Sequence, residues 1–386
     1  MRGPDTEPEH GLTGRESGRT WPGRTWLGRN LVVLSGVSFL QDAASELLYP
    51  ILPIFLTVTL GAPPAVVGTV EGIAEGAAAA TKLLAGRLSD RWRRRPLIAA
   101  GYGLAAVGKV LIAVAFAWPV VLAGRVVDRI GKGIRGAPRD ALLVVGVPAE
   151  ARGRAFGLHR AADTAGAVVG PAIGLAGYVA LHHHVRPLLV MAVVPAVLSV
   201  ALVAAVREGS STPSRRRAAP SPRRGAATVP LPASVRRVVL VVGLFSLVNF
   251  PDALLILRLH DIGFGVVAVI AAYITYNAVY AGLSYPLGAL ADRWPRRRVF
   301  GVGLLVFATT YAGLGLTRSH AWAWLLLATY GMFTAATDGV GKAWVSGLAS
   351  DAAQGRAQGV FQAVSGFGVL AAGLWAGLAW QVGSGA

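Results

Sequence analysis

Five charged residues share one stripe in a stretch that is otherwise too apolar to hold them. Arg125, Asp128, Arg129, Lys132 and Arg135 fall at i, i+3, i+4, i+7 and i+10, so on a helix turning about 100° per residue they point the same way. Such a face either pairs with charges on neighbouring helices or looks into a wet cavity. Glu71, Glu75 and Lys82 form a second stripe. Asp42 and Glu46 lie one helical turn apart, and two carboxylates that close disfavour joint ionisation. One of them would then hold a proton, as a proton carrier needs. Glu75 and Asp163 are further candidates for that role, Asp163 standing one turn from His159. Asn249 with Asp252, Tyr276 with Asn277, and Asp338 with Lys342 continue this chemistry into the second half of the chain.

The elements that position these groups must cross a bilayer. The chain has 386 residues, of which 54% are hydrophobic and only 15% charged, against roughly 25% charged in soluble proteins. Apolar runs of about 20 residues, the length that spans a membrane, lie near 31–56, 66–88, 96–117, 119–136, 156–181, 187–206, 238–259, 264–290, 299–317, 321–345 and 357–380. They predict an all-α integral membrane protein with about eleven spans. The first run is too long for a cleaved signal peptide. A charge at mid-bilayer costs at least about 2.5–3.5 kcal/mol, so the charged stripes must face the interior of the bundle.

The 37 Lys+Arg residues outnumber the 19 Asp+Glu, giving a net charge of +18. Arginines concentrate in residues 1–30, in the turn of Arg91, Arg93, Arg94 and Arg95, in a loop with Arg139, Arg152 and Arg154, in 207–237, and in the turn of Arg293, Arg296, Arg297 and Arg298. The positive-inside rule places all of these, and the N-terminus, in the cytoplasm. The charge therefore reports topology rather than nucleic-acid binding. A basic tail protein would lack the apolar content, and a soluble nucleic-acid binder would not concentrate it in spans. The absence of cysteine excludes a disulfide framework and thiolate metal sites. Residues 207–237 combine Pro, Ser, Ala and Arg with no packable face, which reads as a flexible cytoplasmic linker. The expected organisation is a cytoplasmic tail (1–30), a six-span bundle (31–206), the linker (207–237) and a second bundle (238–386) with five spans.

The halves repeat. Gly86-Arg-Leu-Ser-Asp90-Arg91-Trp-Arg-Arg-Arg95 recurs 202 residues later as Gly288-Ala-Leu-Ala-Asp292-Arg293-Trp-Pro-Arg-Arg297, and Gly153-Arg154-Ala155 recurs at the same offset as Gly355-Arg356-Ala357. Parallel repeats joined by a linker are a plan of secondary transporters. The Gly-x-Leu-x-Asp-Arg-x-x-Arg-Arg turn, present in both halves, resembles the signature loop of the major facilitator superfamily, and the chain from about residue 31 resembles that superfamily throughout. The segments 38–50 and 128–142 are similar to a widespread bacterial subgroup without a defined substrate. Gly166, Gly170, Pro171 and Gly174 resemble the antiporter motif of drug–proton exporters, with Leu175 in place of its usual final glycine.

The resemblance implies two pseudo-symmetric helical bundles that alternate access to a central polar cavity. Twelve spans are usual, so the twelfth is expected to be missing here. The resemblance further implies that Arg125, Asp128, Arg129, Lys132, Asn249, Asp252, Asn277, Asp338 and Lys342 line the cavity. Gly86, Asp90, Arg91, Arg94, Gly288, Asp292, Arg293 and Arg297 would form gating latches. A bend at Pro171 would seal the bundle against proton leak, although glycines at four-residue spacing equally signify close helix packing.

Other chemistry is thin. No Gly-x-x-x-x-Gly-Lys-Ser/Thr loop is present, so a proton gradient rather than ATP or a bound cofactor would supply the energy. His182, His183 and His184 lack a carboxylate or cysteine to complete a metal site. The arginine-rich loops hold no nucleophile–base pair, which argues against an enzyme. At 8%, the aromatics do not signal a greasy binding pocket. The function expected is secondary transport of a small molecule across the bacterial cytoplasmic membrane by a monomer, as proton-coupled efflux. An uptake symporter and a non-transporting receptor of the same fold are the alternatives.

Overall fold

The computed structural model describes residues 26–49, 51–52, 55–182, 184–208, 230–250 and 252–383. Among them are twelve α-helices: α1 (Arg29–Leu48), α2 (Pro64–Arg91), α3 (Arg94–Ala113), α4 (Trp118–Leu143), α5 (Arg152–Ala180), α6 (Val185–Val203), α7 (Ala233–Ser246), α8 (Asp252–Ile262), α9 (Val266–Arg293), α10 (Arg296–Leu316), α11 (His320–Leu348) and α12 (Gln354–Gly383). They supply eleven spans because the seventh is broken into α7 and α8. Prolines stand in the first turns of α2 and α4, where their missing N–H groups would have no helical partner anyway.

Two expected runs are not continuous helices. The run at 238–259 stops at Ser246 and resumes at Asp252, with Pro251 biasing the residue before it away from helical geometry. The run at 31–56 gives α1, which stops at Leu48 just before Pro50, and then a π-turn at Phe55–Thr59. Two boundaries also move. α4 continues to Leu143, so Arg139 and Asp140 lie inside a helix, with 9% and 0% of their surface exposed, rather than in a loop. α7 begins at Ala233, inside the segment expected to be linker. Residues 209–229 of that linker and 1–25 of the N-terminal tail lie outside the described residues.

In the first half, α1 packs against α5 and α6, α3 against α4 and α6, and α2 against α4. In the second, α9 and α10 pack against α11, and α7 against α12. The buried apolar clusters sit almost entirely within one half or the other, around Phe55 and Leu188, around Tyr102 and Phe156, around Phe307 and Tyr330, and around Phe300 and Phe361. The halves meet along α2 with α12 and along α5 with α9, two seams related by the repeat.

The outside of the protein is apolar. Val190 and Val194 on α6, Leu240 and Leu244 on α7, and Leu305 on α10 are all exposed. α1, α3, α6 and α10 are long and apolar enough to cross a membrane by length and composition alone. α2, α4 and α5 instead carry the charged stripes, which their neighbours screen from lipid.

Candidate functional site

The repeated motifs meet across the two halves. The Asp292 carboxylate accepts hydrogen bonds from the backbone N–H groups of Gly153 (2.7 Å) and Arg154 (2.9 Å), and from the Arg154 side chain (3.2 Å). Asp90 accepts from the backbone N–H of Arg356 at 3.0 Å. Each acid thus caps the helix that opens with Gly-Arg-Ala in the other half, supplying acceptors for N–H groups that have no partner within the helix. A carboxylate there also complements the helix dipole. Arg296 donates to the carbonyls of Ala149 and Ala343, and Arg94 reaches the Ala141 carbonyl at 3.5 Å. Arg293 and Arg297 are exposed and add nothing to this closure, and the side chain of Arg91 lies outside the described residues. The constant offset of 202 residues from Arg94 points to Arg296 rather than Arg297, a signal the sequence already held.

Two glycine pairs let the seams close. A Cβ on Gly86 would stand 2.8 Å from the Gly359 Cα, and one on Gly288 would overlap the Gly153 carbonyl. Gly288→Val is therefore expected to force this arginine-rich face apart. Because the chain has no cysteine, a single Ser89→Cys reporter, buried at 2% exposure on the other seam, reads the opening directly. Its labelling rate by a membrane-impermeant maleimide should rise about tenfold or more, equivalent to a population shift of at least about 1.4 kcal/mol. An unchanged rate would mean that the glycine contact does not limit closure.

Between the halves, beyond this closed face, lies a cavity of about 650 Å³. Asp42, Glu46, Glu75, Lys132, Asp163, Asn249, Asp252, Asn277, Asp338 and Lys342 all line it. Arg125, Asp128 and Arg129 do not. They belong to an ion-pair layer inside the first half, where Lys109 contacts Asp128 at 2.8 Å, Arg125 contacts Glu71 at 2.5 Å and Arg129 contacts Glu75 at 3.0 Å. Lys109 is only 1% exposed, and its ammonium is committed to Asp128. The stripe on α4 is thus divided. Its N-terminal members pair with α2 and α3, while Lys132 and Arg135, further along, reach the cavity.

A second network crosses from one half to the other. Arg160 on α5 contacts Asp338 on α11 at 2.7 Å and Asp163 on its own helix at 2.5 Å. Lys342 contacts Asp140 at 3.1 Å, Tyr280 donates to Asp338 at 2.7 Å, and Gln362 donates to Asp140 at 3.0 Å. Sequence reasoning passed over Arg160, although it stands three residues before Asp163 and so shares its face. It also missed the glutamines at 354, 358 and 362, a four-residue stripe on α12 that reaches Ser346, Lys342 and Asp140 in turn.

The second half supplies an aromatic wall. Phe245, Phe250, Tyr273, Tyr276, Tyr330 and Phe333 line the cavity, with Tyr276 and Tyr330 ring centroids 5.2 Å apart and Tyr330 and Phe333 5.3 Å apart. Tyr330 donates to Asp252 at 3.0 Å. A modest aromatic content is thus concentrated at one place, which composition could not reveal. The spacing of Tyr273, Tyr276 and Tyr280 on one helix face was the available signal.

The glycine motif of α5 forms its crossing with α1. A Cβ on Gly166 would strike the Phe39 carbonyl, and one on Gly170 would lie 2.5 Å from that of Ala43. Both contacts bracket Asp42, so close packing here fixes the carboxylate's position. α5 runs on through Pro171 to Ala180. Of the histidine triplet, His183 lies outside the described residues.

An all-α protein of two repeated halves, with a charged cavity on the axis between them, has the architecture of a secondary transporter. The model of the Major Facilitator Superfamily matches residues 34–276 and 253–384. The chain is 32% identical over 368 residues to the uncharacterized MFS-type transporter MJ1317 of Methanocaldococcus jannaschii, covering 92% of this chain and 89% of that protein. It is 26% identical over 288 residues to the multidrug resistance protein MdtH of Edwardsiella ictaluri, covering 71% and 68% of the two chains. Its fold matches that of the human organic anion transporter MFSD10 with a TM-score of 0.75 at 18% identity, over 90% and 92% of the chains. The chain belongs to the major facilitator superfamily, a family of membrane transporters rather than enzymes.

Proposed function

We propose that the protein exports a small molecule across the cytoplasmic membrane in exchange for protons, with its N-terminus and its arginine-rich face in the cytoplasm. The observation that carries this reading is the pair Asp42 and Glu46. Both line the cavity, and neither has a cationic group within 4 Å among the described residues. One Glu46 carboxylate oxygen is buried without any hydrogen-bond partner. Such carboxylates can take up a proton when the cavity faces outward and give it up when substrate arrives from inside. With the arginine-rich face in the cytoplasm, an arrangement closed at that face corresponds to the outward-facing end of that cycle. The similarity to MdtH and the α5 glycine motif support the outward direction.

The test uses everted vesicles acidified inside by respiration and loaded with acridine orange. A panel of amphipathic cations, anions and zwitterions is added from outside, which is the cytoplasmic side in such vesicles. Proton exit should follow addition of a substrate and appear as fluorescence recovery. Asp42→Asn combined with Glu46→Gln should cut the recovery at least about a hundredfold, about 2.7 kcal/mol. Recovery that persists in the double variant would remove the proton assignment, and silence across the panel would remove the export reading.

A further inference from the structure

The charges that line the cavity fall into two kinds. Asp163, Asp338, Arg139, Arg160 and Lys342 neutralise one another within the network described above, together with Asp140. Glu75 is taken by Arg129. What remains is Lys82, Lys132 and Arg135 on one side of the account, and Asp42, Glu46 and Asp252 on the other. None of the six has an ion-pair partner within 4 Å among the described residues. Asp252 accepts from the Tyr330 and Tyr276 hydroxyls, and Arg135 lies over the Tyr102 ring at 4.5 Å. Arg135 is 5% exposed and leaves a guanidinium nitrogen with no acceptor, while Ser365 leaves its hydroxyl unpartnered on the facing wall.

The two sets stand on different helices, with the Lys132 charge felt by both Asp42 and Glu46. The three cations stand on α2 and α4, which pack together and, through α2, against α12; the Lys82 ammonium lies 3.7 Å from where a Cβ on Gly366 would be. Asp42 and Glu46 stand on α1, which packs mainly on α5 and α6 and touches α4, and Asp252 opens α8. A ligand with one charge would satisfy one set while displacing water from the other, leaving like charges without compensation. A ligand with both charges satisfies the two sets together. The aromatic wall adds a surface for a flat or apolar body, and 650 Å³ is the size of site that takes a drug-sized molecule.

We propose that the substrate is an amphipathic zwitterion, its anionic group held by Lys82, Lys132 and Arg135, its cationic group by Asp42 and Glu46, and its apolar body by the aromatic wall of the second half. This rests on the transport reading above and sharpens it. The cationic group and the proton compete for the same carboxylates, which is what exchange of one for the other requires.

The dipeptide L-tryptophanyl-L-tryptophan is a zwitterionic probe. Its methyl ester keeps only the positive charge, and its N-acetyl derivative keeps only the negative. Thermal stabilisation of the purified protein gives the apparent affinity for each, and the vesicle assay gives proton exchange. The zwitterion should bind at least tenfold more tightly than either blocked form and should alone drive fluorescence recovery. Lys82→Gln with Lys132→Gln should bring the zwitterion down to the affinity of the ester, and Glu46→Gln should bring it down to that of the N-acetyl form. Equal binding of a blocked form, or no binding of the zwitterion, overturns the proposal. Fluorescence recovery with a cation or anion from the wider panel would in that case leave the transport reading standing, whereas silence throughout would end both.

Discussion

Arg160→Met is expected to abolish transport and to weaken the state closed at the arginine-rich face. Arg160 holds Asp163 on its own helix and Asp338 in the opposite half, so its removal strands two carboxylates in the cavity wall. Lys342 lies 3.8 Å from Asp338 but is already engaged by Asp140 at 3.1 Å, and Arg139 is 3.9 Å from Asp163. Neither can replace two short contacts at once. Breaking a buried pair from one side costs about 3–5 kcal/mol, because the remaining charge has no partner. Exchange rates should therefore fall by about two orders of magnitude or more. Arg160→Lys should recover only part of the loss, since an ammonium cannot bridge two carboxylates as a planar guanidinium does. Removing a stranded carboxylate as well, in Arg160→Met with Asp338→Asn, should restore much of the closed state without restoring transport. Labelling of the Ser89→Cys reporter separates these outcomes. Normal exchange in Arg160→Met would show that the cross-half pair has no part in the cycle.

Lys109→Met is expected to have the largest effect on stability without a change in the cavity. The Lys109 and Asp128 side chains are 1% and 4% exposed and 2.8 Å apart, inside the first bundle. With the lysine gone, Asp128 keeps within 4 Å only Arg125, at 3.9 Å, and Arg125 and the nearby Arg129 are already committed to Glu71 and Glu75. Thermal unfolding in detergent should show a loss of about 3–5 kcal/mol. Lys109→Met with Asp128→Asn should regain most of it, because a neutral amide in the same space leaves no uncompensated ion. If instead the double variant lost transport while regaining stability, Asp128 would act in the cycle and not only in the fold.

The sequence by itself determined the solvent, the helices and the symmetry. Runs of apolar residues of bilayer length leave helices as the simplest way to satisfy every backbone group within the segment, and the runs were legible one by one. The 202-residue repeat exposed the two halves, and arginine placement ranked the loops. Asp42 and Glu46 stood out because a spacing of four residues on a helix is a contact in space. The breaks after Leu48 and Ser246 were less legible: prolines were visible, but a proline can also sit inside a continuous helix, as Pro171 and Pro286 do here.

Only the tertiary structure decided which charges meet. A helical stripe fixes the direction of its side chains relative to one another but not what stands opposite. Arg125, Asp128 and Arg129 share a face with Lys132, yet they end in ion pairs within the first half while Lys132 ends at the cavity. The motif pairs were both visible as repeats, but their crossing, Asp90 to Arg356 and Asp292 to Gly153 and Arg154, depends on how two bundles dock. The aromatic wall arises in the same way, from three helices of the second half and the break after α7 converging on one place. Periodicity along a chain is local, whereas pairing across 138 or 266 residues is set by packing, and packing is what brought separate stripes to one cavity.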